Sequence, residues 1–104
     1  MKRRVYGYMR AYDDRSDDEI RCDELELARW AESEGYELVC VYQELDEGGN
    51  AELTALVAEL KRTKTRAVVV PSIAHFGAGR ALQDHVWAHI VHNGGAEVYE
   101  VGSR

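Results

Sequence analysis

Residues 66–70 read Arg-Ala-Val-Val-Val, and Pro71 follows at once. Four apolar residues in a row, three of them β-branched, do not alternate with polar ones. A strand wetted on one face alternates; a strand covered on both faces does not. The run therefore predicts a buried strand at the centre of a parallel sheet, stopped by a proline that cannot extend the ladder. Parallel strands need crossover connections, so helical patterns should flank this one. They do. Upstream, Asn50 is positioned to cap a helix that carries Leu53, Leu56, Val57 and Leu60 at helical spacing. Downstream, a third helix is predicted from about Gly79 to His92, ending at Asn93-Gly94-Gly95.

The same alternation continues to both ends. Arg4 to Met9 (RVYGYM) and Glu37 to Tyr42 (ELVCVY) read as strands, as does Ala96 to Val101 (AEVYEV). Between the first two, Asp17 or Asp18 can cap a helix to about Glu34, with Ile20, Leu27 and Ala31 on its apolar face beside Leu25 and Ala28. Gly35 is placed to end it in the left-handed conformation. Four strands alternating with three helices predict an α/β fold: a three-layer α/β/α sandwich on a mostly parallel four-stranded sheet. No internal repeat or linker interrupts residues 1–104, which are expected to form a single domain.

Composition narrows the function classes. The 104 residues are 45% hydrophobic and 31% charged, with one proline, which excludes disordered and collagen-like chains. No apolar run reaches membrane-spanning length, and no secretion signal is expected, because the apolar stretch behind Met1-Lys2-Arg3-Arg4 ends at Arg10. Cys22 and Cys40 form no C-x-x-C pair, so neither a zinc framework nor a disulfide scaffold is expected, and a cytoplasmic setting fits. The net charge of −6 is concentrated. Residues 13–26 hold eight carboxylates against Arg15 and Arg21, and the remainder is neutral. Nucleic-acid binders concentrate positive charge, so direct nucleic-acid binding is expected to be weak or absent. Acids at a helix start suit its dipole, and a solvated acidic face is the simplest reading of this run.

In open parallel sheets ligands bind at the carboxyl ends of strands. The loops there read Arg10-Ala11-Tyr12-Asp13, Gln43-Glu44-Leu45-Asp46-Glu47-Gly48 and Ser72-Ile73-Ala74-His75-Phe76-Gly77. With Tyr8-Met9-Arg10-Ala11-Tyr12 after the first strand, the helix and strand of LARWAESEGYELVCVY, the acidic turn Asp46 to Gly49, and Ile73 to Ala78 after the third strand, the chain resembles the catalytic domain of serine recombinases, the resolvase/invertase family. The first motif stands where that family has Y-x-R-V-S, and the last where it has L-D-R-L-G-R. The resemblance spans nearly the whole chain. It implies a resolvase-like fold, attack of the motif serine on a DNA phosphodiester, and arginines that neutralise the phosphate.

At those positions this chain departs from the family. Tyr12 stands for the serine, Ala74 and His75 for the Asp-Arg pair, and Ala78 for the next arginine; Arg10 alone keeps its type. Phosphoryl transfer depends on neutralising the equatorial oxygens, and loss of one arginine costs orders of magnitude in rate. The expectation is a degenerate, non-catalytic relative acting through protein contact, with itself or with a recombinase or DNA-processing partner. The family's long dimerisation helix and DNA-binding domain are not expected within residues 1–104. The alternative is a divergent DNA recombinase that uses Tyr12 as nucleophile, but the local charge is negative where such a tyrosine needs a cationic pocket. Arg10 is either a vestige of phosphate contact or the partner of Asp13, Asp14 or Glu44.

Other patterns carry less. The pair Asp13-Asp14 resembles phospho-receiver domains, yet Pro71-Ser72 stands where their acceptor aspartate belongs. Gly77-Ala78-Gly79-Arg80 could offer backbone amides to an anion, but it lacks the Walker lysine. His85, His89 and His92 fall on one helical face, but no acid shares their stripe and no metal or other cofactor is expected. On the same helix Leu82, Val86 and Ile90 make one stripe, while Trp87 and Val91 lie about 100° round from it. One stripe must face the sheet. The other, around Trp87 and Val91, is the candidate interaction surface.

Overall fold

The computed structural model describes residues 3–10, 16–44, 51–72 and 80–101. Its elements run β1 (Arg3–Arg10), α1 (Asp17–Ser33), β2 (Tyr36–Glu44), α2 (Ala51–Thr63), β3 (Ala67–Val70), α3 (Arg80–Ala88) and β4 (Glu97–Glu100). The four strands form one sheet in the order β2-β1-β3-β4, and every adjacent pair is parallel. The apolar runs in β1 and β3 find their reason here, because these are the two central strands. All four residues of β3 are buried, three of them completely.

Alternation within the central strands divides the core by face. Tyr6, Tyr8, Val68 and Val70 meet α2 through Leu53, Leu56, Val57 and Leu60, and meet the third helix through Val86 and Ile90. On the opposite face Val5, Met9, Ala67 and Val69 pack with Leu27 and Ala31 of α1. Burying each such aliphatic side chain is worth about 1.5–3 kcal/mol, so the two clusters dominate the fold's stability. Gly7 lets α1 approach β1: a Cβ there would lie 3.0 Å from Val41 Cγ2 and 3.1 Å from Leu27 Cδ1.

Several local expectations need correction. The cap of α1 is Ser16, not Asp17 or Asp18. Its hydroxyl accepts from Glu19 N at 3.1 Å, the N-cap bond, and donates to the Glu19 carboxylate at 3.3 Å. Leu25 and Ala28 lie on the solvent side of α1 rather than with Leu27 and Ala31. Gly35 does take the left-handed conformation, at φ 78°. β2 is an edge strand with an extra residue opposite Tyr6: the register passes from Val5↔Leu38 to Gly7↔Val41. That bulge falls at the exposed Val39 and Cys40. The third helix is α-helical only to Ala88 and closes in a π-helical turn, His89–Asn93.

Candidate functional site

The order β2-β1-β3-β4 reverses direction between β1 and β3, so their carboxyl ends flank the crevice where open sheets place ligands. Arg10 ends β1 there, and Val70, Pro71 and Ser72 end β3. Arg10 is only 3% exposed. It shares a strand face with Tyr8, two residues earlier, and its guanidinium carbon lies 5.9 Å from the centre of the Tyr8 ring.

Across the β1–β2 ladder Arg10 stands opposite Glu44, also 3% exposed. The Glu44 carboxylate accepts the backbone N–H of Glu52 at 3.0 Å, that of Leu53 at 3.0 Å, and the Tyr8 hydroxyl at 3.1 Å. It therefore satisfies the first amides of α2 and places a negative charge at the positive end of the helix dipole. Asn50 lies outside the described residues; the side chain seen on these amides comes from β2. A helix N-terminus beside a strand end is a ready place for an anion. Here the protein's own carboxylate fills it.

Sequence reasoning treated Glu44 only as one possible partner of Arg10 and did not single out Tyr8. The signal for Tyr8 was its i, i+2 relation to Arg10 on a strand. Glu44 offered one too, as an acid closing a strand that precedes a helix. Tyr12, Ala74, His75 and Ala78 lie outside the described residues, as do Asp13 and Asp14.

The third helix separates its own candidates. Val86 and Ile90 are fully buried, while Leu82, expected on the same stripe, is 36% exposed. Trp87 is 42% exposed and Val91 half-buried. The three histidines do not converge. His85 and His89 stack with ring centres 6.3 Å apart, His89 Nδ1 is 2.6 Å from Asn93 Nδ2, and His92 meets the Trp87 ring edge-on at 6.4 Å. The π-helical turn breaks the 3.6-residue period that would have aligned them. Among the described residues no cluster of three metal-ligating side chains occurs.

No family model matches this sequence, and a sequence comparison with curated proteins finds no relative. Solved structures are more informative. The chain superposes on the C-terminal catalytic domain of ISC1926 TnpA, an IS607-like serine recombinase, with a TM-score of 0.76 at 16% identity, covering 94% of this chain and 67% of that one. The fold is that of a serine recombinase catalytic domain. The N-terminal catalytic domain of TP901-1 integrase superposes at 0.74 with 15% identity, covering 95% of this chain and 77% of that one. The catalytic domain of IS1535 TnpA, another IS607-like serine recombinase, gives 0.71 at 16% identity over 93% and 70%. At such identities the likeness is one of fold. It agrees with the fold that the resemblance implies, and Arg10 ends β1 of that fold.

Proposed function

We propose that this chain is a recombinase-fold domain that has lost phosphoryl-transfer chemistry and serves as a non-catalytic interaction or regulatory module, a pseudoenzyme. One observation carries this reading. Arg10, the one phosphate-handling position that keeps the family's side-chain type, is 3% exposed and packed on the Tyr8 ring. A guanidinium held inside the fold is poorly placed to neutralise a phosphate arriving from solvent. The family's other phosphate-handling positions hold Tyr12, Ala74, His75 and Ala78, none of them a permanent cation.

Trp87, with Val91 beside it, is the surface we assign to the contact, because an indole 42% exposed on a helix loses apolar area to water unless a partner covers it. The partner we favour is a second copy of the chain, ahead of a recombinase or DNA-processing protein. Sedimentation velocity across a concentration series tests this. The wild type should associate and Trp87→Ser should not, whereas a strict monomer indifferent to the substitution removes the surface. Cys22 and Cys40 are exposed free thiols, and among the described residues no helix is long and apolar enough to cross a membrane. The free thiols support a cytoplasmic setting.

The fold match to catalytic domains favours one competing reading, a divergent strand-exchange enzyme with Tyr12 as nucleophile. It requires an electropositive pocket around Tyr12, and residues 13–26 supply net negative charge instead.

A further inference from the structure

In a parallel sheet all amino ends lie along one edge, opposite the crevice at Arg10. That edge holds an open cavity of about 670 Å3, within the size range of small-ligand sites. Its cations come from two distant parts of the sequence. Arg3 and Arg4 open β1, and Lys64 and Arg66 flank the turn from α2 into β3. All four are exposed, and among the described residues none of them forms an ion pair.

The acids nearby do not offset them. Among the described residues Glu97 is the one carboxylate on the cavity wall, and it accepts the Tyr99 hydroxyl at 2.7 Å. Glu37 stands opposite Arg4 in the β1–β2 register but does not line the cavity. Nor are Lys64 and Arg66 needed to balance the negative end of α2, whose last turn already carries Lys61 and Arg62. In a chain of net charge −6, four cations lining one concavity, with a single engaged carboxylate among the described residues, form a strong local exception.

The turn that presents two of them is held in place. Lys64 adopts the left-handed conformation at φ 57°. On either side of it the Thr63 and Thr65 hydroxyls lie 2.8 Å apart, and Thr63 Oγ1 donates to Glu59 O at 2.7 Å. Strain of this kind in a non-glycine residue persists only where neighbours fix it. Part of the wall is aromatic. Tyr36 and Tyr99 line the cavity with ring centres 6.1 Å apart, and Trp30 stacks on Tyr36 at 5.4 Å and 14°.

We infer that this cavity binds a nucleoside polyphosphate, with the phosphates among Arg3, Arg4, Lys64 and Arg66 and the planar base against the tyrosine wall. Fixed cations suit several phosphate oxygens at once, and arginine forks match them in pairs. An aromatic wall adds stacking for any base. The site is separate from the crevice at Arg10 and does not depend on the domain's loss of chemistry.

Titration calorimetry of the intact chain with adenosine triphosphate tests the assignment, with inorganic triphosphate, adenosine and a short single-stranded oligonucleotide in parallel arms. Adenosine triphosphate should bind saturably and more tightly than inorganic triphosphate, and adenosine alone should bind least. The paired substitution Lys64→Ser/Arg66→Ser should weaken binding by at least about tenfold, since each lost charge-assisted contact is a strong one. Arg80→Ser, which removes an exposed cation elsewhere, should leave it unchanged. The four cavity cations are exposed, so the variants keep the fold, and unchanged melting curves verify that. Absence of saturable binding, equal weakening by Arg80→Ser, or tighter binding of the oligonucleotide than of the mononucleotide each overturns the assignment.

Discussion

The two edges of the sheet treat charge in opposite ways. At the carboxyl edge Arg10 and Glu44 are buried, one packed on the Tyr8 ring, the other spent on the amides of α2 and the Tyr8 hydroxyl. At the amino edge Arg3, Arg4, Lys64 and Arg66 stand exposed around a cavity with one engaged acid among the described residues. A buried charge must be met by the protein itself, because leaving it unmet costs several kcal/mol. An exposed one is met by water and stays available to a ligand. The carboxyl edge thus keeps its charges inside the protein, and the opposite edge holds exposed ones.

The sharpest way to break that contrast is to remove a charge from each edge. Glu44→Ala strips the acceptor from two helix amides and a buried hydroxyl, and should cost about 3 kcal/mol in a urea-unfolding experiment. A loss below about 1 kcal/mol would mean that water replaces the carboxylate and that the carboxyl edge is open.

The next effect concerns the backbone of the amino edge, where Gly94 closes the third helix. A Cβ there would sit 2.6 Å from Ile90 O and 2.8 Å from Leu60 Cδ1. Gly94→Ala should therefore destabilise by about 2 kcal/mol, the usual scale of overpacking, as a lowered melting temperature.

A smaller effect depends on pH. Burial, and then the neighbouring Cys40 thiol, pushes the Tyr42 phenol up from its ordinary value near 10 to about 12. The neutral phenol is thus favoured in the fold. Its contribution to stability is complete below about pH 10 and is lost as pH rises through about 12. Tyr42→Phe should flatten that alkaline decline, and ultraviolet titration should show one late phenol fewer.

The smallest effect is expected from Lys64→Ser and Arg66→Ser. As exposed residues without ion pairs among the described residues, they should change stability by no more than about 0.5 kcal/mol. A larger change would make these cations structural, like Arg10, and erase the contrast.

Much of the fold was readable in advance because it rests on local pattern. The Ala67–Val70 run had to be central, Gly35 had to end a helix, and the alternation of strand and helix implied the parallel sheet. Boundaries set by competition were harder to read. Ser16, Asp17 and Asp18 can all cap a helix, and it is the Ser16 hydroxyl that takes the Glu19 amide while giving its own proton to the Glu19 carboxylate. The third helix looked regular through His92 because a π-helical turn leaves no mark in an apolar pattern. Leu82 shares a helical stripe with Val86 and Ile90, yet it lies in the first turn of α3 and is exposed.

The candidate site was legible only in part. Arg10 stood out through the resemblance, but its burial could not be read from its neighbours in sequence. Glu44 acts on residues eight and nine positions later, through a contact that exists only once β2 and α2 have packed. The amino-edge cavity is tertiary throughout: β1 and the α2–β3 turn meet there only because the strands run parallel.

The account stands or falls on whether this domain still breaks DNA. The purified chain should be incubated with end-labelled duplex, denatured, and resolved for label travelling with protein. The account predicts no covalent adduct at any salt concentration; a labelled adduct that disappears in Tyr12→Phe would contradict it.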